Sequence, residues 1–389
     1  MLVSQVAEAV NTFTSEYLGE EALVTEDLSN IVDIGSRIVQ LDHLDNYVRK
    51  FIDQIGKITF QTRPYEGVVP SLYTDPIEYG AILEDITYGN LPEAEENDSW
   101  KLQAGQSYDP NVFTPPDAHA RFYSNRQTFD IPMSYATEQV KSAFQNKAQL
   151  MQFTSMVETA VSNSMTVKTD AIAMRAYTSR IANTIHAKNN TPQCVNLLAK
   201  YNDQFGRNVL AAECLYDKEF IRYASLQITL YGDRIRGMSK LFNQLSYDRF
   251  TPKAHMRLIL LSEFEKAAHT YLYSDTFHED YVRIPIADAI PYWQGPGTDY
   301  EFESTSRIAA EVMVTTINGD TETKSKETVD QDGIIGILYD HRSLLVTNLR
   351  RWTTTNYNGR ADFMNYWYKF DIGQASKLGE NFVVFYVAD

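Results

Sequence analysis

The sequence predicts an α+β fold built around one very long helix, and three observations carry this prediction. Residues 133–191 contain neither glycine nor proline. Residues 57–118, in contrast, hold seven of the thirteen prolines and show no helical period. The last nine residues, NFVVFYVAD, are apolar on both faces of an extended strand, which is typical of a strand inside a covered sheet.

Composition and charge argue against several classes of protein. The chain of 389 residues is 43% hydrophobic, and its formal net charge is −16 with no run of Lys or Arg. Nucleic-acid binding depends largely on cations that neutralise phosphates, so this balance argues against it. No stretch approaches the roughly 18 apolar residues of a membrane helix, and the start MLVSQVAEAV lacks the pattern of a signal peptide.

The first 56 residues predict helices. Apolar residues recur at spacings of three and four in two runs. The first run is Val6, Val10, Phe13 and Tyr17, and the second is Leu28, Ile31, Ile34, Ile38 and Leu41.

Residues 57–119 predict an extended two-stranded arm. The prolines break any helix, yet the tyrosines and Trp100 argue against disorder, which is normally poor in aromatics. A segment of this length without regular structure is uncommon inside a compact domain and usually has a function. We expect this arm to gain its order from a neighbouring molecule.

The residues from Thr128 onwards predict a short strand followed by the long helix. Thr128 to Met133 is β-prone, and Ser134 or Thr137 is the predicted N-cap. The apolar stripe of the helix includes Met151, Met156, Val161, Met165 and Ile181. A helix of about forty-five residues would be roughly 70 Å long. The stripe is not a strict heptad, so a helix lying across a sheet fits better than a coiled coil.

Residues 194–350 alternate between helical and strand patterns, which predicts a mixed α/β domain. The predicted helices are ECLYDKEFIRYASL and SEFEKAAHTYLYSDT, and the predicted strands are SLQITLYG, HMRLILLS and GIIGILYD. Asn318-Gly319 lies between β-prone flanks and predicts a type I′ hairpin turn. At the end of the chain, FMNYWYKFDIG and NFVVFYVAD predict two strands joined by a short link.

The stretch GILYDHRSLLV contains the side-chain types of a hydrolytic triad, namely Asp340, His341 and Ser343. A triad needs these groups aligned in one chain of hydrogen bonds. Neighbouring residues on a strand point to opposite faces, and no GxSxG motif surrounds Ser343. We therefore interpret the cluster as a polar turn after an apolar strand.

Four other groups of residues have simple structural explanations. SDTFHED (Asp275, His278, Glu279, Asp280), with His269 upstream, could bind a divalent metal, but it lacks a recognised ligand spacing and predicts a polar loop. WQGPGTDY (residues 293–300) has no phosphate-binding pattern. Cys194 and Cys214 lack a CxxC pattern and a nearby histidine, so buried free thiols in a reducing cytoplasm are expected. The acidic patch Glu93, Glu95, Glu96 and Asp98 predicts a solvated loop tip or a contact with a basic partner. No enzyme, cofactor or metal site is predicted.

The C-terminal run carries a family resemblance. GIIGILYDHRSLLVTNLRRWTTTNYNGRADFMNYWYKFDIGQASKLGENFVVFYVAD contains an apolar strand ending in Asp, a turn, an Arg- and Thr-containing stretch and two further strands. In this order, and in SDTFHEDYVRIP and the WQGPG loop, the chain resembles major capsid proteins of tailed bacteriophages with the Hong Kong 97-type fold. It is similar in particular to those of small podoviruses of Gram-positive hosts.

The resemblance implies a division of the chain into the regions of that fold. Residues 1–56 correspond to the N-terminal arm, and 57–119 to the extended E-loop that lies over a neighbouring subunit. Residues 120–190 correspond to the P-domain with its spine helix and antiparallel sheet, which the strands of 361–389 complete. Residues 191–360 correspond to a mixed α/β A-domain with a hairpin elaboration near 310–326.

The implied function is that of a major capsid protein that self-assembles into pentamers and hexamers of an icosahedral shell around double-stranded DNA. Its aromatic E-loop contacts would be Tyr65, Tyr73, Tyr79, Tyr88, Trp100 and Tyr108. Some family members crosslink an E-loop lysine to a neighbour's asparagine, for which Lys101 and Asn356 are the candidates here, with Asn358 and Asn365 as alternatives.

The implied partners are further copies of the chain, a separate scaffolding protein, a portal protein and head fibre or decoration proteins. Packaged DNA would be touched only weakly and without sequence preference, and no membrane is involved. The expected location is the virion, after assembly in the host cytoplasm. Two alternatives stay open at this point, an encapsulin-like nanocompartment shell and a cytosolic hydrolase that uses His341 or the SDTFHED loop.

Overall fold

The computed structural model describes residues 23–39, 73–74, 83–94, 117–123, 126–136, 147–188, 192–273, 288–294, 305–318 and 321–389, with some isolated positions between them. Within these residues the helices are α1 (Ile31–Val39), α2 (Lys147–Lys188), α3 (Leu197–Phe205), α4 (Lys218–Arg234) and α5 (Ser262–Tyr273). The strands are β1 (Tyr73–Thr74), β2 (Leu83–Tyr88), β3 (Ala118–Tyr123), β4 (Arg126–Ala136), β5 (Cys194–Asn196), β6 (Met256–Leu261), β7 (Asp288–Ile290), β8 (Ile308–Asn318), β9 (Thr321–Gln331), β10 (Ile334–Asp340), β11 (Leu344–Asn358), β12 (Phe363–Ser376) and β13 (Phe382–Tyr386).

The chain divides into two compact units. The first comprises Met1–Ala81, Arg126–Ile172 and Val346–Gly373. The second comprises Ile82–Asn125, Ala173–Leu345 and Gln374–Asp389.

The first unit contains a four-stranded sheet in the order β1-β11-β12-β4. β12 and β4 pair antiparallel from Phe363 opposite Ala136 to Gly373 opposite Arg126. Proline lacks an N–H to donate and is therefore confined to strand edges. Pro132 is accommodated within β4 because β4 is the edge strand of this sheet.

The part of α2 in the first unit buries a stripe with helical spacing, consisting of Leu150, Phe153, Val157, Val161 and Met165. The ring of Phe153 meets Tyr135 of β4 edge-on, with centroids 5.7 Å apart. The prediction of one long helix is confirmed, since α2 has 42 residues and is about 63 Å long.

Two details of the predicted helix were wrong. Ser134 is no N-cap because it lies in β4, where its hydroxyl bonds to the Asn365 side chain at 2.6 Å. Met156 is exposed, and the buried positions beside it are Phe153 and Val157. The alternative cap, Thr137, lies outside the described residues.

The second unit contains a five-stranded mixed sheet in the order β5-β13-β10-β6-β7. β10 pairs antiparallel with β13 on one side and β6 on the other. β13 is also paired on both sides, with β10 on one side and with β5, in parallel orientation, on the other. All five residues of β13 are buried, which confirms the prediction that the apolar C-terminal strand lies within a covered sheet.

Each face of this sheet is covered by helices. Leu338, Val383 and Phe385 point to one face and share a core cluster with residues of α3, α4 and α5. Tyr339 and its strand partner Phe382 point to the other face. There the hydroxyl of Tyr339 lies 2.9 Å from that of Tyr177 in the C-terminal part of α2.

One predicted strand is a helix. SLQITLYG belongs to α4, whose N-terminus is capped by the Asp217 carboxylate through the N–H groups of Glu219 and Phe220. Ser225, Ile228 and Tyr231 are buried together with the spacing of a helix. The alternating pattern of this short run was therefore coincidental. The predicted strands HMRLILLS and GIIGILYD are confirmed as β6 and β10.

The predicted hairpin is confirmed, with a shift in its turn. β8 and β9 pair with each other from Ile308 opposite Gln331 to Asn318 opposite Thr321. Asn318 is therefore the last paired residue of β8 and not a central residue of the turn, while Gly319 and Asp320 lie outside the described residues.

The two C-terminal strands lie in different sheets. The predicted region 361–389 grouped them together, yet β12 joins the sheet β1-β11-β12-β4 while β13 joins β5-β13-β10-β6-β7. The short link between them therefore connects two sheets and does not form a hairpin. None of the described helices is long and apolar enough to cross a lipid bilayer.

Candidate functional site

A two-stranded ribbon in the second unit has the features of a contact surface. It consists of β2 and β3, which pair antiparallel from Leu83 opposite Tyr123 to Tyr88 opposite Ala118. Because side chains alternate along a strand, the β2–β3 ribbon has two faces of different composition.

The inner face of the β2–β3 ribbon is polar and contacts other residues of the second unit. The Lys377 ammonium donates to the Asp85 carboxylate at 2.5 Å, and both side chains are mostly buried. The His119 ring stacks on Tyr247, with centroids 5.2 Å apart and planes at 6°. At the end of the ribbon, the Asp248 N–H donates to Gly89 O at 3.1 Å.

A buried arginine belongs to the same region. Arg180 of α2 places its guanidinium 5.1 Å from the centroid of the Phe382 ring. Burial lowers the pKa of Arg180 to about 10, and the charges of Tyr123 and Glu380 oppose that shift. Arg180 therefore stays cationic at neutral pH, and its charge acts on Tyr123 at the end of β3.

The outer face of the β2–β3 ribbon exposes three large apolar side chains, and the register also places Glu84 opposite Phe122. Ile86, Phe122 and Tyr88 are 67%, 64% and 60% exposed, and the residues opposite Ile86 and Tyr88 are the small Ala120 and Ala118. A two-stranded ribbon ordinarily turns its apolar face inward, so the arrangement here is reversed. An apolar strip on a fixed support is typical of a protein–protein contact.

The triad-like residues form a turn. Asp340 ends β10, and the Ser343 N–H donates to Asp340 O at 2.8 Å. The buried Ser343 hydroxyl and His341 Nδ1 make no hydrogen bond within the described part of the chain. These three residues do not form the serine–histidine–aspartate line of a triad, and the predicted polar turn after β10 is confirmed.

Comparison with known families is decisive. Residues 6–386 match the family model described as Phi29-like phage major capsid protein.

The chain belongs to this family of phage major capsid proteins.

Solved structures agree with the family match. The capsid of Staphylococcus phage Andhra is similar with a TM-score of 0.54 and 10% identity, over 84% of this chain and 86% of that chain. A chain in the structure of the head fibre and inner core protein of native bacteriophage P68 is similar with a TM-score of 0.53 and 9% identity, over 83% and 85%. No curated protein matches the sequence. The Hong Kong 97-like capsid fold and the role of a shell protein are confirmed, and the match does not favour an encapsulin-like compartment.

Two of the six predicted E-loop aromatics of this capsid protein lie within the described residues. Tyr88 is on the exposed face of the β2–β3 ribbon, whereas Tyr73 lies in β1, opposite Val346 of β11. Tyr65, Tyr79, Trp100 and Tyr108 lie outside the described residues. Sequence reasoning missed Ile86 and Phe122, although the alternation in LEDITY and AHARFY was the available signal.

The remaining predicted residues of the capsid protein divide in the same way. Asn356 and Asn358 are exposed at the end of β11, but Lys101 lies outside the described residues, as do Asp275, His278, Glu279 and Asp280. His269 lies on α5, with Nε2 3.7 Å from Glu265. Glu93 and Glu96 are exposed, while Glu95 and Asp98 are not described. Trp293 is fully buried and donates from Nε1 to Ile334 O at 2.9 Å.

Both cysteines of the capsid protein are buried free thiols, which confirms the sequence prediction. Burial raises the pKa of Cys194 and of Cys214 to about 12. Since the thiolate is the reactive form, neither residue has the character of a nucleophile at neutral pH.

Proposed function

We propose that this capsid protein forms the icosahedral head of a tailed phage, as pentamers and hexamers that enclose double-stranded DNA. The observation that carries the proposal is the family match over nearly the whole chain. The net charge of −16 supports a shell that touches DNA only weakly, since strong binding requires cations against phosphates.

We further propose that the outer face of the β2–β3 ribbon contacts a second copy of this chain in the shell. The ribbon overlaps the predicted E-loop, residues 57–119, and its apolar strip is exposed on the isolated subunit. Burying an exposed Ile or Phe side chain contributes roughly 1.5–3 kcal/mol. In a closed shell this modest gain is repeated at every equivalent contact.

The test replaces the apolar strip by charge. In the double variant Ile86→Asp with Phe122→Asp, burial against a neighbour would desolvate two carboxylates, so shells should fail to form. The subunit should still fold, because both side chains point to solvent in the isolated chain. Shell yield is measured by negative-stain microscopy after co-expression with the phage's other head genes, and folding is measured by circular dichroism.

Leu226→Asp is the matched control, since Leu226 is an exposed apolar residue of α4 in the same unit. This control should assemble as the wild type does. Normal shells from the double variant would contradict the ribbon contact while leaving the family assignment intact.

We also propose the partners and the location that the family suggests. They are a separate scaffolding protein, a portal protein, head fibre or decoration proteins, assembly in the host cytoplasm, and a podovirus of a Gram-positive host. We propose likewise that the chain has the N-terminal arm, E-loop, P-domain and A-domain of that fold. A crosslink between Lys101 and Asn356 is proposed as well. For a hydrolase, no observation on the Asp340–His341–Ser343 turn provides support.

A further inference from the structure

Two histidines and an aspartate converge where β6 begins and β10 ends. Asp340 pairs with Met256 in the antiparallel register, so the next residues outward, His341 and His255, face each other. The His341 N–H donates to His255 O at 2.9 Å, and the centroids of the two imidazole rings lie 4.4 Å apart. His255, Asp340 and His341 each offer one ligand atom, and these atoms all lie within 4.8 Å of one another.

Asp340 is buried and the two histidines are half-buried, and one ligand atom of the cluster has no hydrogen-bond partner in the described part of the chain. The Asp340 side chain is only 4% exposed, and its Oδ1 accepts the Arg342 N–H at 3.0 Å. His341 Nδ1 is buried and makes no hydrogen bond within the described residues, although it lies 3.4 Å from Asp340 Oδ1. A buried polar atom without a partner is costly, and here it faces a carboxylate oxygen.

The spacing of these atoms suits a metal ion. Ligands about 2.1 Å from a tetrahedral Zn²⁺ ion are separated from each other by about 3.4 Å. His341 Nδ1 and Asp340 Oδ1 have this separation, at 3.4 Å. A pair at the widest separation, up to 4.8 Å, has to close by about 1.4 Å to reach the tetrahedral spacing, which rotation of the half-buried His255 side chain can supply.

We propose that His255, Asp340 and His341 bind a divalent transition-metal ion of the Zn²⁺ class, with water completing the coordination. Two imidazoles and one carboxylate suit such an ion better than Mg²⁺ or Ca²⁺, which prefer oxygen ligands. The bound ion would join the start of β6 to the turn after β10. It would therefore stabilise the sheet of the second unit, independently of any contact between subunits.

The charges around the cluster moderate this affinity. Arg257 and Arg342 act on His341 as positive charges, and Asp340 as the negative one. The guanidinium of Arg257 is held by the carbonyls of Ala254 and Met256, each 3.1 Å from Nη1. Binding must therefore come from the ligand atoms themselves and not from a general negative field.

The test titrates the full-length chain with ZnCl₂ and follows thermal unfolding and calorimetric binding. At about 100 times the Kd, one bound Zn²⁺ ion should raise the Tm by on the order of 5 °C. His255→Asn and His341→Asn should each lose this shift while keeping cooperative unfolding without metal. Co²⁺ should give the intense visible absorption of a four-coordinate site in the wild type and not in either variant.

The controls separate this site from adventitious binding to an acidic protein. His269→Asn removes an exposed histidine beside Glu265 in the same unit and should keep the full Tm shift. MgCl₂ at the same concentration should give no shift. The proposal is overturned if Zn²⁺ gives no shift in the wild type, if both cluster variants keep it, or if Mg²⁺ reproduces it.

Discussion

One ion pair beneath the β2–β3 ribbon contributes to keeping its polar face inward, together with the His119–Tyr247 stack. Lys377 and Asp85 are 2.5 Å apart, and their side chains retain only 13% and 19% of their exposure. Removing one partner of a desolvated pair leaves the other uncompensated, which costs more than the pair itself contributes. This contact therefore helps to hold the polar face inward and leaves Ile86, Tyr88 and Phe122 outward.

Lys377→Met should loosen the β2–β3 ribbon. We expect a loss of about 1–3 kcal/mol in the free energy of unfolding, and faster hydrogen exchange of the amides in residues 83–88 and 118–123. The control is Lys326→Met, which breaks an exposed pair with Glu311 at 2.7 Å and should cost less than about 1 kcal/mol. Unchanged exchange in the ribbon of Lys377→Met would contradict the anchoring role.

At the residue scale, local chemistry was predictable and distant neighbours were not. The turn after β10 followed from Asp340 and Ser343, which lie three positions apart. The proximity of His255 to His341 could not be predicted, because it depends on the register between β6 and β10. The same limit applies to Asp85 and Lys377, which are 292 positions apart in the sequence.

The β8–β9 hairpin is the element whose contribution to the subunit is most separable. Its strands pair only with each other within the described residues. The base of the hairpin is attached to the rest of the unit through Gln294. The Gln294 amide accepts the Ala309 N–H at 2.5 Å and donates to Ala309 O at 2.6 Å. Ile308 and Val312 are buried at the same end. The stability of the unit should therefore depend on the base of the hairpin and not on its outer half.

A shortened hairpin should leave a stable subunit. Met313 and Lys326 are cross-strand partners, so residues 314–325 can be replaced by Asn-Gly, which favours a type I′ turn. We expect the Tm to stay within about 3 °C of the wild type. Trp293→Ala, at the buried base, is the contrasting variant and should cost about 3–5 kcal/mol. Loss of cooperative unfolding in the shortened chain would contradict this division.

At the element scale, long patterns predicted structure well and short ones did not. The glycine-free stretch led to α2 because 42 residues of helix leave a long signal. SLQITLYG was misassigned because a few alternating apolar residues fit the period of a strand as well as that of a helix. The run lies in α4, whose N-terminus is capped by Asp217. The predicted strand Thr128 to Met133 was also too short, since β4 runs from Arg126 to Ala136 and an edge strand tolerates proline.

At the scale of the whole molecule, the sequence resemblance predicted the fold class and the shell function. The distribution of strands between sheets was not predictable, since β12 and β13 are adjacent in sequence yet join different sheets. The exposed face of the β2–β3 ribbon was not predictable either. An alternating strand specifies two faces but not which one packs inward.

We propose that this chain builds a closed shell in which neighbouring copies cover the outer face of the β2–β3 ribbon. A cryo-electron microscopy reconstruction of the shells formed by the full-length chain, co-expressed with the phage's other head genes, tests it most directly. We expect icosahedral particles in which Ile86, Tyr88 and Phe122 pack against an adjacent subunit. Particles in which these three side chains face solvent, or a chain that remains monomeric under these conditions, would contradict it.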